Sequence, residues 1–440
     1  MKKQNKKVLT FVPLESAALG RFLFFTCLFT YVLLYFGRSN FSAVLPALVD
    51  SETGLFTKDE AGLINSAFFI VYGAGQFING LITEKIPPFG LIGTSFALGT
   101  VANFVMYLAT ISPEPSLYVL ILVWAVNGYA QSFVFTSFMR IFAMILPETQ
   151  RNAASTNIFI GTALGPVLAL LISQQILRVS DNWQLLFLAG SIAIGISTVF
   201  WFISTRKIAK LSYKYIDVSE TAEEKVCKSA PKKRHEMRLL FLLVTSGVLL
   251  ITIPSFIFAF VKEGLQTWAP TFIKELFRES HNVTDSFAVG ISTIIPLFGI
   301  GASFLGRFIY EKWLNCEMKT TALLFFGAAV SIFCTGAFML DSLWGTLILV
   351  AVAYMLLVAV NTMIIGLIPI RFARHGRTAT ITGIFNSVAS IGLGLSNYFV
   401  GLLAQNFDWH IVFYVLTALT VIAFIISLAT VRRWTKFKNI

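Results

Sequence analysis

Twelve long apolar runs organise this chain, near residues 22–48, 60–83, 89–111, 116–145, 152–178, 184–205, 238–273, 285–310, 319–340, 343–370, 377–405 and 409–431. A helix needs roughly 20 apolar residues to cross a bilayer, and all twelve runs meet or exceed that length. The runs are continuous, whereas the strands of a membrane barrel would be ~10-residue segments of alternating polarity. Only 13% of the residues are charged and 56% are hydrophobic, against about 25% charged in soluble domains. The expected fold is therefore an all-α polytopic membrane protein.

The polar stretch 206–237 divides the runs six and six, giving an N-terminal bundle (1–205), a basic linker and a C-terminal bundle (238–440). The net charge of +12 would fit a nucleic-acid partner if it were concentrated on one surface. Its placement says otherwise. Segments on the side of the termini hold 28 of the 34 Lys and Arg residues, and those on the other side hold 4. Cytoplasmic loops carry such an excess, so both termini are expected in the cytoplasm and no nucleic-acid partner is expected. The run beginning at Phe22 is too long for a cleaved signal peptide and reads as a retained helix. Cys27, Cys227, Cys316 and Cys334 show no metal-ligand spacing, and neither a disulfide nor a cofactor is expected.

Three landmarks recur at an offset of 226 residues: Gly80 with Gly306, Arg151 with Arg377, and Trp183 with Trp409. A shared offset across one linker points to duplication, and duplicated transporters place their substrate between the halves near the bilayer midplane. Gly161 and Gly165, followed by Pro166, form a small-xxx-small pattern that lets helices approach closely.

The topology leaves over two cations, Arg38 and Lys262. Arg38 lies within ~5 Å of the middle of its run at 1.5 Å per residue, where an insertion cost of roughly 2.5–3.5 kcal/mol argues for a purpose. Shifted by the repeat, Arg38 falls at 264, beside Lys262, so the two should face one another across the cavity. A guanidinium fork and an ammonium suit an oxyanion. Tyr35 shares a helical face with Arg38, as Tyr72 does with Gln76, and Gln131, Asn157 and Asn386 are further polar candidates. Glu263 is the only acid inside a run, away from its ends, and the candidate coupling residue. It follows Lys262 by about 100° around the helix, so the two need not pair.

The strings YFGRSNFSAVLPAL (35–48), VYGAGQFINGLITEK (71–85), NGYAQSFVFTSFMR (127–140), PETQRNAASTNIFIGTALGP (147–166) and KEGLQTWAPTFIKE (262–275) resemble the organophosphate:phosphate antiporter family of the major facilitator superfamily. The resemblance covers almost the whole chain and implies two pseudo-symmetric six-helix bundles working by alternating access. It puts Arg38 at the family's first-helix phosphate-binding arginine and Lys262 where the family usually has a second arginine. Tyr35, Tyr72 and Gln131 match family positions at or near the site, and Trp268, in the distinctive W-x-P-T core at 268–271, is a further substrate-binding candidate. Gln76 replaces a basic residue and Ile158 a histidine, which removes cationic or titratable groups from the expected site.

The expected function is a secondary transporter of a small organic anion, an organophosphate, in exchange for inorganic phosphate. The setting is the plasma (bacterial inner) membrane, and the working unit a monomer. The alternatives are a proton-coupled carboxylate or organic-anion symporter using Glu263, and a membrane-bound sensor of an extracellular organophosphate. A membrane enzyme is not expected: His235, His281, His375 and His410 fall in loops or at helix ends, without a nucleophile–base pair.

Overall fold

A computed structural model describes residues 7–50, 55–82, 86–180, 182–217, 239–339, 342–375 and 377–438. The first half contains α1 (Ala17–Leu48), α2 (Lys58–Ile82), α3 (Pro88–Thr110), α4 (Leu117–Met144), α5 (Glu148–Asn157), α6 (Phe159–Val179) and α7 (Leu185–Ser212). The second contains α8 (Leu239–Ser246), α9 (Val248–Thr267), α10 (Ala269–His281), α11 (Asp285–Ser292), α12 (Ile294–Ile309), α13 (Glu317–Cys334), α14 (Leu343–Asn361), α15 (Thr378–Asn406) and α16 (Trp409–Lys438). Several starts carry a side-chain cap: Ser16, Thr284 and Ser342 accept from the amides of Leu19, Phe287 and Gly345, satisfying first-turn N–H groups.

Among the described residues, eleven helical segments are long and apolar enough to cross a membrane. The run expected over 60–83 is the exception. It forms α2, whose polar residues Asn65, Ser66 and Asn79 are buried in protein. A helix sandwiched between α4 and α15 does not need the hydropathy of a lipid-facing one. Elsewhere large apolar side chains point outward, Leu122, Ile203 and Phe304 among them, forming a surface suited to lipid rather than water.

The duplication inferred from the 226-residue offset appears in the packing. In the first half α1 packs on α6 and α7, α3 on α4 and α7, and α2 on α4. In the second, α9 packs on α15 and α16, α13 on α14 and α16, and α12 on α14. These are the same pairings, six membrane passes later.

Contacts between the halves gather at the end away from the termini. There Lys274 pairs with Asp50 at 2.7 Å, and Lys58 pairs with Glu275 at 2.8 Å and donates to the Ala404 carbonyl. Deeper in, Ser42 donates to the Thr267 carbonyl, Asn65 to Asn397, and Ser66 to the Gly394 carbonyl. Glycines allow this proximity: a Cβ on Gly62 would meet the Asn397 carbonyl, and one on Gly401 the Trp268 ring. One apolar core runs from the far half of α1 (Phe41, Val44, Leu45) into the second half (Ile257, Phe258, Trp268). At the terminus end the first half has its own separate core, including Leu23, Cys27, Phe138 and Trp201. The halves are thus joined at one end and have distinct cores at the other.

The structure corrects several expectations. Run 238–273 is three helices, broken at Gly247, which takes the left-handed φ of 80° that glycine tolerates, and again at Trp268, before Pro270. Run 152–178 breaks at Ile158, while Pro166 sits inside α6. Helix α7 continues to Ser212, and the start of the linker forms a strand, β2 (Tyr213–Asp217), antiparallel to β1 (Lys7–Phe11). The N-terminal segment is therefore tied to the linker by backbone hydrogen bonds. The remainder of the linker and Lys85 lie outside the described residues.

Candidate functional site

Helix α1 bends where Arg38 projects. Gly37 leaves helical geometry (φ −78°, ψ 15°), which turns its carbonyl out of the helical ladder. Three side-chain amides converge on the freed oxygen: Asn127 Nδ2 at 2.9 Å, Asn103 Nδ2 at 3.3 Å and Gln131 Nε2 at 3.3 Å. Gln131 also donates to Asn127 Oδ1, and Asn40 to Asn103 Oδ1. A buried carbonyl left unpaired would cost roughly 1–3 kcal/mol, so these amides stabilise the bend. A Cβ on Gly37 would collide with Ile194 and lie 2.8 Å from Asn103, so the position requires glycine by proximity.

The half-buried guanidinium of Arg38 lies among four rings, with centroids at 4.9 Å (Phe69), 4.9 Å (Tyr72), 5.4 Å (Tyr35) and 5.5 Å (Phe68). Each cation–π contact is worth about 0.5–2 kcal/mol depending on desolvation. The rings hold the charge without neutralising it. Among the described residues no carboxylate pairs with Arg38 and none of its N–H groups has an acceptor, so its donors remain open to an anion. Gln76 Nε2 donates to the Tyr72 hydroxyl at 2.9 Å, which holds the ring that lies against the guanidinium. Gly165 makes room for Tyr35, since a Cβ there would lie 2.6 Å from the Tyr35 Cβ.

Lys262 supplies the second cation from α9. Its Nζ lies 5.6 Å from the Tyr354 ring centroid and 3.2 Å from Glu263 Oε2. Sequence spacing left this pair unneeded. It forms because both side chains are long enough to fold across one peptide, and Thr267, one turn on, donates to Glu263 Oε1 at 3.1 Å and orients the carboxylate. Tyr354 in turn donates to Gln266 Oε1 at 2.8 Å. Arg38 interacts electrostatically with Glu263, and Lys262 with Tyr35, so charges from both halves act on one space.

Tyr35, Arg38, Tyr72 and Gln76 therefore come together, with Lys262 and Glu263 across from them. Gln131 is buried with its amide on the Gly37 carbonyl, acting on the helix that carries Arg38. Trp268 is buried against Gly401 within the core of the second half, a packing position rather than a cavity-facing one. Asn157 is exposed at the junction of α5 and α6, and Asn386 is half-buried on α15; neither makes a hydrogen bond among the described residues. Ile158 is fully buried in the core of the first half beside Tyr31 and Phe138, so this side chain packs rather than lines the space. Sequence reading missed Phe68, Phe69 and Tyr354. Extending the Tyr72–Gln76 face one turn back reaches Phe68 and Phe69, whereas nothing in the local sequence marks Tyr354.

The chain matches the Major Facilitator Superfamily over residues 27–393. It is 24% identical to a "Probable hexose phosphate transport protein" of Chlamydia muridarum, over 93% of this chain and 90% of that protein. It is 22% identical to the "Glycerol-3-phosphate transporter" of Bacillus subtilis, over 90% of this chain and 88% of that one. It also resembles the "Membrane sensor protein UhpC" of Salmonella typhimurium, 23% identical over 66% of this chain and 63% of that one. In fold it matches a bacterial homolog of the human lysosomal transporter Spinster, solved in an inward-facing and unoccupied conformation. The TM-score is 0.72, with 14% identity, covering 96% of this chain and 99% of the other. With two like-packed helical halves around a shared polar space, the chain belongs to the Major Facilitator Superfamily and is a multi-pass membrane transporter, not an enzyme.

Proposed function

We propose that the protein moves a small organophosphate across the plasma membrane by alternating access, in exchange for inorganic phosphate. The observation that carries this reading is Arg38, a guanidinium held by four aromatic rings and left without a carboxylate among the described residues. A permanent charge at that depth is best accounted for by an anionic ligand that comes and goes. Relatives named for hexose phosphate and glycerol-3-phosphate supply the substrate class. The joined end, with Lys274 on Asp50 and Lys58 on Glu275, and the separate cores at the other end are what one state of a rocking pair of bundles requires. With the termini in the cytoplasm, as the Lys and Arg distribution favours, this is the inward-open state.

Purified protein in liposomes loaded with inorganic phosphate should take up labelled glycerol phosphate or hexose phosphate, liposomes without phosphate should not, and Arg38→Ala should abolish uptake. Binding of these esters with no exchange would contradict the transport reading and favour a sensor.

A further inference from the structure

The charged side chains within the apolar runs, away from their ends, are Arg38, Lys262 and Glu263. Lys262 and Glu263 lie 3.2 Å apart, with side chains only 19% and 9% exposed. The second carboxylate oxygen is taken by Thr267, and the ammonium lies over the Tyr354 ring. This pair is neutral as a unit. Arg38 is surrounded by rings instead of acids, so its charge is not cancelled. The groups that face Glu263 are Lys262 and Thr267 on α9, Tyr354 on α14 and, electrostatically, Arg38 on α1.

We infer that the cavity presents one uncompensated positive charge and therefore takes its ligand as a monoanion: a phosphate monoester in its singly protonated form, or a sulfonate of similar shape. The inference rests on the reading of Arg38 as an anion site, and it specifies the charge that this site accepts. When the halves close over a ligand, the enclosed charges lose water, and an enclosed net charge of either sign is unfavourable in such surroundings. A monoanion on Arg38 leaves the cavity neutral. A dianion leaves one negative charge without a partner, unless Lys262 is released from Glu263. Tyr35, Tyr72 and Gln76 then offer neutral hydrogen-bonding groups, and the protonated oxygen of the ester can donate to one of them.

The test uses purified full-length protein, with glycerol phosphate and a three-carbon alkylsulfonate as probes, titrated by intrinsic fluorescence from pH 5 to pH 8. A phosphate monoester loses its second proton near pH 6. Binding of the monoanion predicts that glycerol phosphate affinity falls by about tenfold per pH unit above that point, while sulfonate affinity stays level. Glu263→Gln keeps the size of the side chain and an oxygen for Thr267, but frees the charge of Lys262. It should abolish the loss of ester affinity above pH 6 and weaken sulfonate binding, since a monoanion then leaves one positive charge enclosed, and its melting curve shows that the variant is folded. Wild-type ester affinity that rises or stays level through pH 6 would overturn the inference while leaving the anion site intact. Failure of both probes to bind wild-type protein at any pH would overturn the anion site itself, and the inference with it.

Discussion

Lys274 on α10 and Asp50 at the end of α1 form a 2.7 Å ion pair that joins the two halves, and the same ammonium also donates to the Pro46 carbonyl. The Asp50 side chain is 8% exposed and that of Lys274 12%. Such a pair lies between an exposed bridge, worth about 0–1 kcal/mol, and a buried one, where removing one partner costs about 3–5 kcal/mol. Lys274→Ala is expected to weaken the joined state by ~1–3 kcal/mol on that scale. Cysteine pairs or spin labels placed across the far ends of α1 and α10 should report a larger open fraction at that end. An unchanged distance distribution would show that the remaining contacts, among them Arg278 with Asp50, Lys58 with Glu275 and Asn65 with Asn397, hold the end closed without it.

The amides around the Gly37 carbonyl should matter in order of their bonds. Asn127 makes the shortest contact at 2.9 Å and also accepts from Gln131, so Asn127→Leu removes two bonds of the cluster while Gln131→Leu removes both of the bonds that it donates but leaves Asn127 on the carbonyl. Asn127→Leu is expected to cost about 1–3 kcal/mol and to reduce phosphate-ester affinity more than Gln131→Leu does. Thermal unfolding and ligand titration on both variants check the order.

Two glycines should respond with opposite sign. In Gly165→Ala the new Cβ would meet the root of Tyr35 at 2.6 Å, which cannot move without parting α1 from α6, so a loss of ~1–3 kcal/mol from overpacking is expected, together with weaker anion binding. A Cβ on Gly301 of α12 would have nothing within 4 Å of it, so Gly301→Ala should gain up to about 1 kcal/mol from helix propensity. Melting temperatures of the two variants give the comparison.

Much of the architecture was legible because the bilayer imposes it. Run length and the 226-residue offset anticipate the helices and their repeated packing. What sequence reading misplaced depends on neighbours. Trp268 reads as a site candidate from its motif, and its burial in the apolar core against Gly401 depends on neighbours that the motif does not show. Arg38 and Lys262 could be found from the cost of burying charge, but the rings around Arg38 come from α1 and α2 together. The Lys262–Glu263 pair depends on rotamers that helical spacing does not specify, and Gln131 changes from candidate ligand to helix support once the bend at Gly37 is seen.

Arg38 carries the account, and its replacement by Lys separates geometry from charge. Lys keeps the positive charge among the rings but loses the planar fork that grips two oxygens at once. The decisive measurement is the dissociation constant of inorganic phosphate and of glycerol phosphate for wild-type, Arg38→Lys and Arg38→Gln proteins, each verified as folded by its melting curve. The account predicts measurable binding for wild type, a loss of about tenfold to a hundredfold for Lys, as the loss of one charge-assisted hydrogen bond would give, and none detectable for Gln. Wild-type affinity in folded Arg38→Gln protein would contradict it.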